Sequence, residues 1–155
     1  KVKNKLIILT TTSGAKAISL AKNGRWVFIG ALLNVETVAK EALKMAERER
    51  RGISLLLAGK EGSFSLEDFI CAGAVIENLP KKNVELSDAA LAAALAFRQA
   101  QGSLSSVIRQ GSHAQYLKSI GLEEDVEFCS QINIFPTVPV LKDEVIVPFE
   151  MLDDH

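Results

Sequence analysis

The sequence is poor in cysteine, in charge of one sign and in long apolar runs. Its 155 residues include only two cysteines, Cys71 and Cys129, with no Cys-x-x-Cys or Cys/His spacing. This usage argues against a disulfide framework or a zinc site and favours reduced thiols in the cytoplasm. The 18 basic and 19 acidic residues leave a net charge of −1, so no broad basic surface is available for nucleic acid or an anionic membrane.

The composition that remains is that of a soluble globular protein. Hydrophobic residues make up 48% of the chain and charged residues 24%, which is enough for a buried core. No apolar run approaches the roughly 20 residues of a membrane span, and the start carries no signal-peptide cleavage site. We therefore expect a cytoplasmic protein that binds neither nucleic acid nor membrane, folded as one domain over residues 1–155.

The first half of the chain repeats one pattern three times. A short apolar run leads into a polar loop and then into a helix, with the apolar runs at Lys5–Leu9, Trp26–Ile29 and Ile53–Leu57. The helices are predicted from Ala15, from Val35 and from Ser65. Three strand–loop–helix units in succession predict a three-layer α/β/α fold with a mostly parallel sheet.

The second half is predicted to be a helical cluster followed by two strands. Helices are expected at Asp88–Gln99, Ser103–Gln110, Ser112–Ile120 and Glu123–Cys129, and strands at Ile132–Leu141 and Val145–Val147. Proline within the first of these strands restricts it to an edge or a bulge.

The loop that follows the first apolar run is rich in hydroxyl groups. Thr10, Thr11, Thr12 and Ser13 precede Gly14 and a helix start, a combination that suits a phosphate or a sulfonate. The Walker A pattern is absent. An equally good structural interpretation is that the threonines extend the strand and Ser13 caps the helix.

The loop that follows the third apolar run, Gly59 to Asp68, combines a cation, glycines, hydroxyls and carboxylates. Lys60 could meet a phosphate, and Glu67 or Asp68 could hold Mg²⁺, which binds through one or two carboxylates while keeping water and substrate oxygens. The alternative is a capping box, Ser65-x-x-Asp68, in which acidic residues stabilise the first turn of a helix without a metal.

A thiol-based site is a third possibility. Cys71 lies in an apolar stretch typical of a buried, inert thiol, and His113 stands at a helix start where a surface histidine is common. A hydrolase that uses Cys71 as nucleophile and His113 as proton carrier is ranked below the two loops.

Five segments of the chain together resemble one known family, the 2-phosphosulfolactate phosphatases. They are LTTTSG at 9–14, GALLN at 30–34, the stretch from Ala58 to Gly73, LSDAA at 86–90 and GLEEDV at 121–126. The resemblance implies a Mg²⁺-dependent hydrolase that converts 2-phosphosulfolactate to 3-sulfolactate and phosphate, a step toward coenzyme M. It also implies that this chain corresponds to the C-terminal two-thirds of a longer phosphatase.

The loops and the resemblance together predict the site. The substrate, a small phosphorylated sulfonate, is expected at Thr11, Thr12, Ser13, Gly14 and Asn34. Lys60, Glu67 and Asp68 are the expected catalytic residues, and Glu67 and Asp68 are also the expected ligands of Mg²⁺. We expect a homo-oligomer. The alternative function is a non-catalytic domain that binds anions or drives oligomerisation.

Overall fold

The computed structural model describes residues 5–80, 82 and 84–152, and this part of the chain is predominantly helical. Its elements are α1 (Gly14–Ala21), α2 (Val35–Glu49), α3 (Leu66–Glu77), α4 (Asp88–Ala100), α5 (Leu104–Ile108), α6 (Ser112–Ser119), α7 (Glu123–Cys129), β1 (Pro139–Lys142) and β2 (Val145–Pro148). Short 3₁₀ turns occupy Leu32–Asn34, Gln101–Ser103 and Phe149–Leu152. The predicted helices are therefore confirmed, with shifts of a few residues at their ends.

Helices α3 and α4 form the centre of the molecule, and each begins at a serine cap. The Ser65 Oγ accepts a hydrogen bond from the Asp68 N–H at 3.3 Å, and the Ser87 Oγ accepts one from the Ala90 N–H at 3.3 Å. A serine at this position satisfies one of the backbone donors that a helix start leaves free. The local sequence therefore fixes where both helices begin.

The contact between α3 and α4 is made by small residues. A Cβ atom added to Gly73 would lie 2.1 Å from the carbonyl oxygen of Ala93, so the two helix backbones approach more closely than any side chain there would allow. Ala93 and Ala94 are buried at the same contact. The alanine-rich sequence of α4 supplies the small residues that this close contact requires.

The sheet differs from the prediction. In the described residues the sheet has two strands, β1 and β2, and it is antiparallel, with Val140 opposite Val147. Trp26–Ile29 lies beside β1, where the Ile29 N–H donates to the Pro139 carbonyl at 2.9 Å. This segment pairs through an antiparallel bridge between Phe28 and Val140. The prediction of a mostly parallel sheet is not confirmed here.

The other two predicted strands are extended but unpaired. Within the described part of the chain, Lys5–Leu9 and Ile53–Leu57 make no backbone hydrogen bond to another segment. Leu6 is 81% exposed and Leu56 56% exposed, whereas Leu57 packs against the small residues of α3 and α4. An apolar run favours an extended chain, but a strand also needs at least one neighbouring strand to pair with, and no described segment pairs with either run.

Two apolar clusters hold the rest together. The larger joins helices α2 to α7 around Val35, Ile70 and Phe97, and the smaller packs Trp26 and Phe28 with Phe149 against β1 and α2. Among the described residues, no helix combines the length and the apolar character that crossing a membrane requires.

Candidate functional site

The two polar loops singled out by the sequence are in direct contact. The Ser13 hydroxyl, at the end of the threonine loop, accepts a hydrogen bond from the Glu61 N–H at 3.1 Å. These residues are far apart in the chain, so the contact is a product of the tertiary fold. The threonine loop and the loop that begins at Gly59 therefore form one polar surface.

The threonine loop presents a helix start to this surface. The Thr11 Oγ1 accepts a hydrogen bond from the Ala15 N–H at 2.9 Å, so Thr11 caps α1, and a hydroxyl that accepts can also donate its proton. The carbonyl of Ser13 accepts the first bond of α1, from Ala17. Helix starts of this kind bind anions through their backbone N–H groups. Thr12 is exposed beside them.

The second loop is built on a tight turn. Lys60 and Ser63 exchange both backbone hydrogen bonds, at 3.0 and 2.8 Å, and the two residues between them, Glu61 and Gly62, have φ angles of 52° and 83°. Positive φ at both central positions is typical of a type I′ turn and is unfavourable for a residue with a Cβ. Glu61 is therefore held in a strained conformation at the point where its N–H meets Ser13.

Glu67 and Asp68 lie in the first turn of α3, but their carboxylates have different neighbours. The Asp68 Oδ2 accepts a hydrogen bond from the Gly59 N–H at 2.6 Å and so ties the loop to the helix. The Glu67 Oε2 lies beside Gly111, 3.4 Å from where a Cβ of that residue would be. Consecutive helical residues point about 100° apart, which explains the divergence.

The donors present fit a hard cation such as Mg²⁺, although they do not form a closed cage. Among the described residues, no group of three or more His, Cys, Asp or Glu side chains is placed to hold a metal ion. Mg²⁺ does not require one, because it commonly binds through one or two carboxylates and keeps several waters. In the described part of the chain Asp68 Oδ1 accepts no hydrogen bond and could serve as an oxygen ligand, whereas the Glu67 carboxylate lies on the side of Gly111.

The side chain of Lys60 contacts an aromatic ring on α6. Its Nζ atom is 5.4 Å from the centroid of the Tyr116 ring, which in turn stacks on the His113 ring at 6.3 Å. The ring Nδ1 of His113 is buried and has no hydrogen-bond partner in the described part of the chain. Tyr116 was missed by the sequence analysis; its spacing of three from His113 was the available signal.

Asn34 lies in a different environment. Its side chain is buried, its Oδ1 accepts from the Ala31 N–H at 2.8 Å, and its Nδ2 donates to the Thr137 carbonyl at 3.0 Å. These bonds connect the turn before α2 to the segment that leads into β1. Asn34 therefore has a structural role, and its role in substrate binding stays a prediction.

The surroundings of Cys71 disfavour a thiol nucleophile. Burial, and then the charge of nearby Asp68, raise the pKa of the Cys71 thiol to about 12. A nucleophilic cysteine needs the opposite shift, because the thiolate is the reactive form. Burial, and then the charge of Asp125, also raise the pKa of Cys129.

The site is an open surface. A depression of about 170 Å³ lies between α2 and the segment 136–150, and a second one lies between α6 and α7. Neither depression is lined by a predicted site residue, and the two polar loops meet outside both of them. A ligand there would be held by polar groups and charge, which suits a small anion.

The described elements thus define a predominantly helical protein with a small antiparallel sheet and a polar surface built from two loops. Its sequence matches the profile of one family, described as 2-phosphosulpholactate phosphatase, over residues 1–144. The chain belongs to the 2-phosphosulfolactate phosphatase family, and the resemblance seen in the sequence is confirmed.

Relatives in several bacteria support this assignment. A probable 2-phosphosulfolactate phosphatase of Clostridium beijerinckii is 36% identical over 145 residues, which cover 92% of this chain and 59% of the relative. The corresponding protein of Thermotoga petrophila is 40% identical over 95% of this chain and 61% of the relative. That of Symbiobacterium thermophilum is 34% identical over 97% and 64%. The chain therefore spans about three-fifths of the length of the curated relatives it matches.

Proposed function

We propose that the chain carries the phosphate-binding part of a Mg²⁺-dependent phosphatase that hydrolyses 2-phosphosulfolactate to 3-sulfolactate and phosphate. The relatives are named for this substrate. The observation that carries the proposal is the hydrogen bond between Ser13 and Glu61, which joins the two polar loops into one surface.

The substrate carries a phosphoryl and a sulfonate group, and the threonine loop is suited to one of them. The first N–H groups of α1 lack partners within the helix, and the hydroxyls of Thr11 and Thr12 add donors beside them. Ser13 already accepts from Glu61, so its own proton can point toward the bound oxygen. Together these donors would orient the anion without needing a net positive loop.

Lys60 and the two acidic residues are proposed to act on the other side of the anion. The Lys60 ammonium would offset negative charge as the ester bond breaks. Asp68, through its free Oδ1, and Glu67 would hold the Mg²⁺. When bound, the ion would neutralise phosphoryl oxygens and polarise the ester.

The proposal is tested by removing the charge of Asp68 while keeping its shape. In Asp68→Asn the side-chain oxygen can still accept from Gly59, so the loop stays in place. We expect phosphate release from 2-phosphosulfolactate to fall roughly 10²- to 10³-fold in kcat/KM. The assay uses this chain, and a version extended to the length of its relatives, with and without Mg²⁺.

Asp88→Asn is the matched control for this experiment. Asp88 also stands in the first turn of a serine-capped helix, α4, but it is exposed and lies outside the site. Asp88→Asn should lose as much helix-dipole stabilisation as Asp68→Asn does, but its phosphatase activity should be unchanged. Full activity with both Glu67 and Asp68 neutralised would refute the proposal.

A second candidate function is supported by the exposed apolar segments. Ile8 is 88% exposed and Leu9 77% exposed, a pattern that fits a surface used in assembly. On this hypothesis the loops bind an anion without hydrolysing it, and the chain forms a homo-oligomer. Calorimetric titration with inorganic phosphate and Mg²⁺, combined with light scattering for the oligomeric state, separates the two functions: binding without turnover supports this one.

We also propose that the protein extended to the length of its relatives has a three-layer arrangement with a parallel sheet. It is supported by the extended, apolar and unpaired segments Lys5–Leu9 and Ile53–Leu57. Slow amide hydrogen exchange at residues 53–57 is expected in that longer protein. Rapid exchange there would contradict the arrangement.

A further inference from the structure

We propose that Tyr116 is a positioning residue: its ring holds the Lys60 ammonium at the phosphate site without neutralising it. This inference rests on the proposed function and adds a residue to it. It is drawn from the arrangement of Lys60, Tyr116 and His113.

The position of Tyr116 is fixed by the packing of α6. Ala114 is buried in the main core, and Leu117 packs against the same core. Tyr116 is three residues after His113, so the two rings lie on one face of the helix, where they stack with an angle of 22° between their planes. The α6 start lies close to the α3 start, since a Cβ added to Gly111 would be 3.4 Å from Glu67 Oε2 and 3.6 Å from Leu66 Cβ. The ring is therefore anchored to the same elements that hold the acidic residues.

The kind of partner matters for Lys60. A lysine held by a carboxylate has its charge compensated and attracts a phosphate less strongly. In the described residues no carboxylate lies within 4.0 Å of the Lys60 ammonium, although seven other ion pairs are present. An aromatic face attracts the cation through its quadrupole and adds no net charge. Tyr116 can thus restrict the side chain while leaving its full charge for an anion.

Restriction of Lys60 also lowers the cost of binding. A long lysine side chain loses rotamer freedom when it is fixed against a ligand. Lys60 is half-buried and lies at the first position of the tight turn, so its backbone is already fixed. The ring limits the remaining freedom of the side chain before the anion arrives. Loss of the ring should therefore weaken anion binding modestly, and loss of the ammonium should weaken it strongly.

The experiment follows the Lys60 side chain directly. Lysines are reductively methylated with ¹³C, which keeps their charge, and the Lys60 signal is identified as the one absent from Lys60→Arg. We expect this signal to lie upfield of the other lysine signals because of the Tyr116 ring current. It should remain there in Tyr116→Phe and move to the ordinary position in Tyr116→Leu. Inorganic phosphate, with Mg²⁺ present, is then titrated into each protein.

The phosphate dissociation constant should rise about two- to fivefold in Tyr116→Leu and should be largely restored in Tyr116→Phe. Phe128→Leu is the matched control, since Phe128 is 46% exposed against 53% for Tyr116 and lies on α7. It should not change the constant. The inference is overturned if the Lys60 signal of the unmodified sequence lies among the other lysines. It is also overturned if phosphate does not bind, or if Tyr116→Leu binds it as tightly as the parent.

Hydrolysis is measured separately on the unmethylated proteins. Phosphate binding that depends on Tyr116, without any release of phosphate from 2-phosphosulfolactate, would refute the proposed function and leave this inference standing. Hydrolysis that needs Asp68 and Lys60 but is unchanged in Tyr116→Leu would support the proposed function and refute the role of Tyr116.

Discussion

Replacing Gly73 with alanine is expected to destabilise the protein by forcing α3 and α4 apart. The added Cβ would lie 2.1 Å from the carbonyl oxygen of Ala93, 2.7 Å from its carbonyl carbon and 2.7 Å from the Cβ of Phe97. Two of these atoms belong to the backbone of α4, and the third, a Cβ, is bonded directly to it. A rotamer change cannot relieve the contact, and one helix must move relative to the other.

The magnitude follows from two opposing effects. Overpacking a close contact costs about 1–3 kcal/mol, and a backbone obstacle places this case at the upper end. Alanine is a better helix former than glycine by about 1 kcal/mol, which offsets part of the cost. We therefore expect a net loss of about 2 kcal/mol in the free energy of unfolding. For a chain of this size, that loss corresponds to a decrease of roughly 4–8 °C in Tm.

The measurement is thermal and urea denaturation of Gly73→Ala beside Gly102→Ala. Gly102 is the matched control, because a Cβ there would meet no atom within 4 Å. Its substitution should change the unfolding free energy by less than about 1 kcal/mol, and the change can be stabilising. If Gly73→Ala is as stable as the parent protein while Gly102→Ala behaves as expected, the close approach of α3 and α4 is wrong.

Two further predictions concern ionisable groups. Because burial raises the pKa of Cys71 to about 12, iodoacetamide at pH 8 should alkylate the exposed Cys129 well before Cys71; rapid labelling of Cys71 with loss of activity would restore the thiol hypothesis. Hydrogen bonds from Arg25 and then Trp26 lower the pKa of Glu49, so its ionised form stabilises the folded state. Glu49→Gln should therefore lower Tm at pH 7, and the difference should shrink as the pH falls below about 4.3; a difference that grows in acid would contradict the assignment.

The helices could be predicted because their signals are local. Ser65 caps α3, as the capping-box pattern indicated, and a serine in the same position, Ser87, caps α4. The apolar period of α2 buries Val35, Val38 and Met45 on one face. Helix caps and the apolar period of a helix involve residues only three or four positions apart, so the sequence shows both directly. Residues of these types at this spacing are compatible with few secondary structures other than a helix.

The sheet could not be predicted in the same way. Trp26–Ile29 has the composition of a buried parallel strand, yet its partner is β1, more than a hundred residues later, and the pairing is antiparallel. β-propensity specifies an extended chain and an apolar face, whereas the choice of partner is made by tertiary packing. Three aromatic rings pack together at this pairing: Trp26 stacks on Phe28, and Phe149 meets both rings edge-on.

The candidate site was predictable to the extent that it rests on loop chemistry. The sequence identified both loops and expected them to converge, and the structure brings Ser13 to Glu61. It did not identify Tyr116, because a single exposed tyrosine on a short helix carries no motif. The capping role of Thr11 was also missed, because the sequence offered Ser13 as the cap of α1, and the Ser13 side chain makes no cap hydrogen bond.

The packing of α3 against α4 also determines the geometry of the candidate site. Asp68 lies five residues before Gly73 on the same helix, about 7.5 Å along its axis. A helix behaves as a rigid element over that distance, so a displacement at Gly73 is carried to the carboxylate of Asp68. Asp68 accepts the 2.6 Å hydrogen bond from Gly59, so the same displacement also moves the turn that contains Lys60 and Glu61. Because a misplacement of about 1 Å can cost 10²-fold in rate, a glycine far from the ligand is expected to be as sensitive as a residue that touches it.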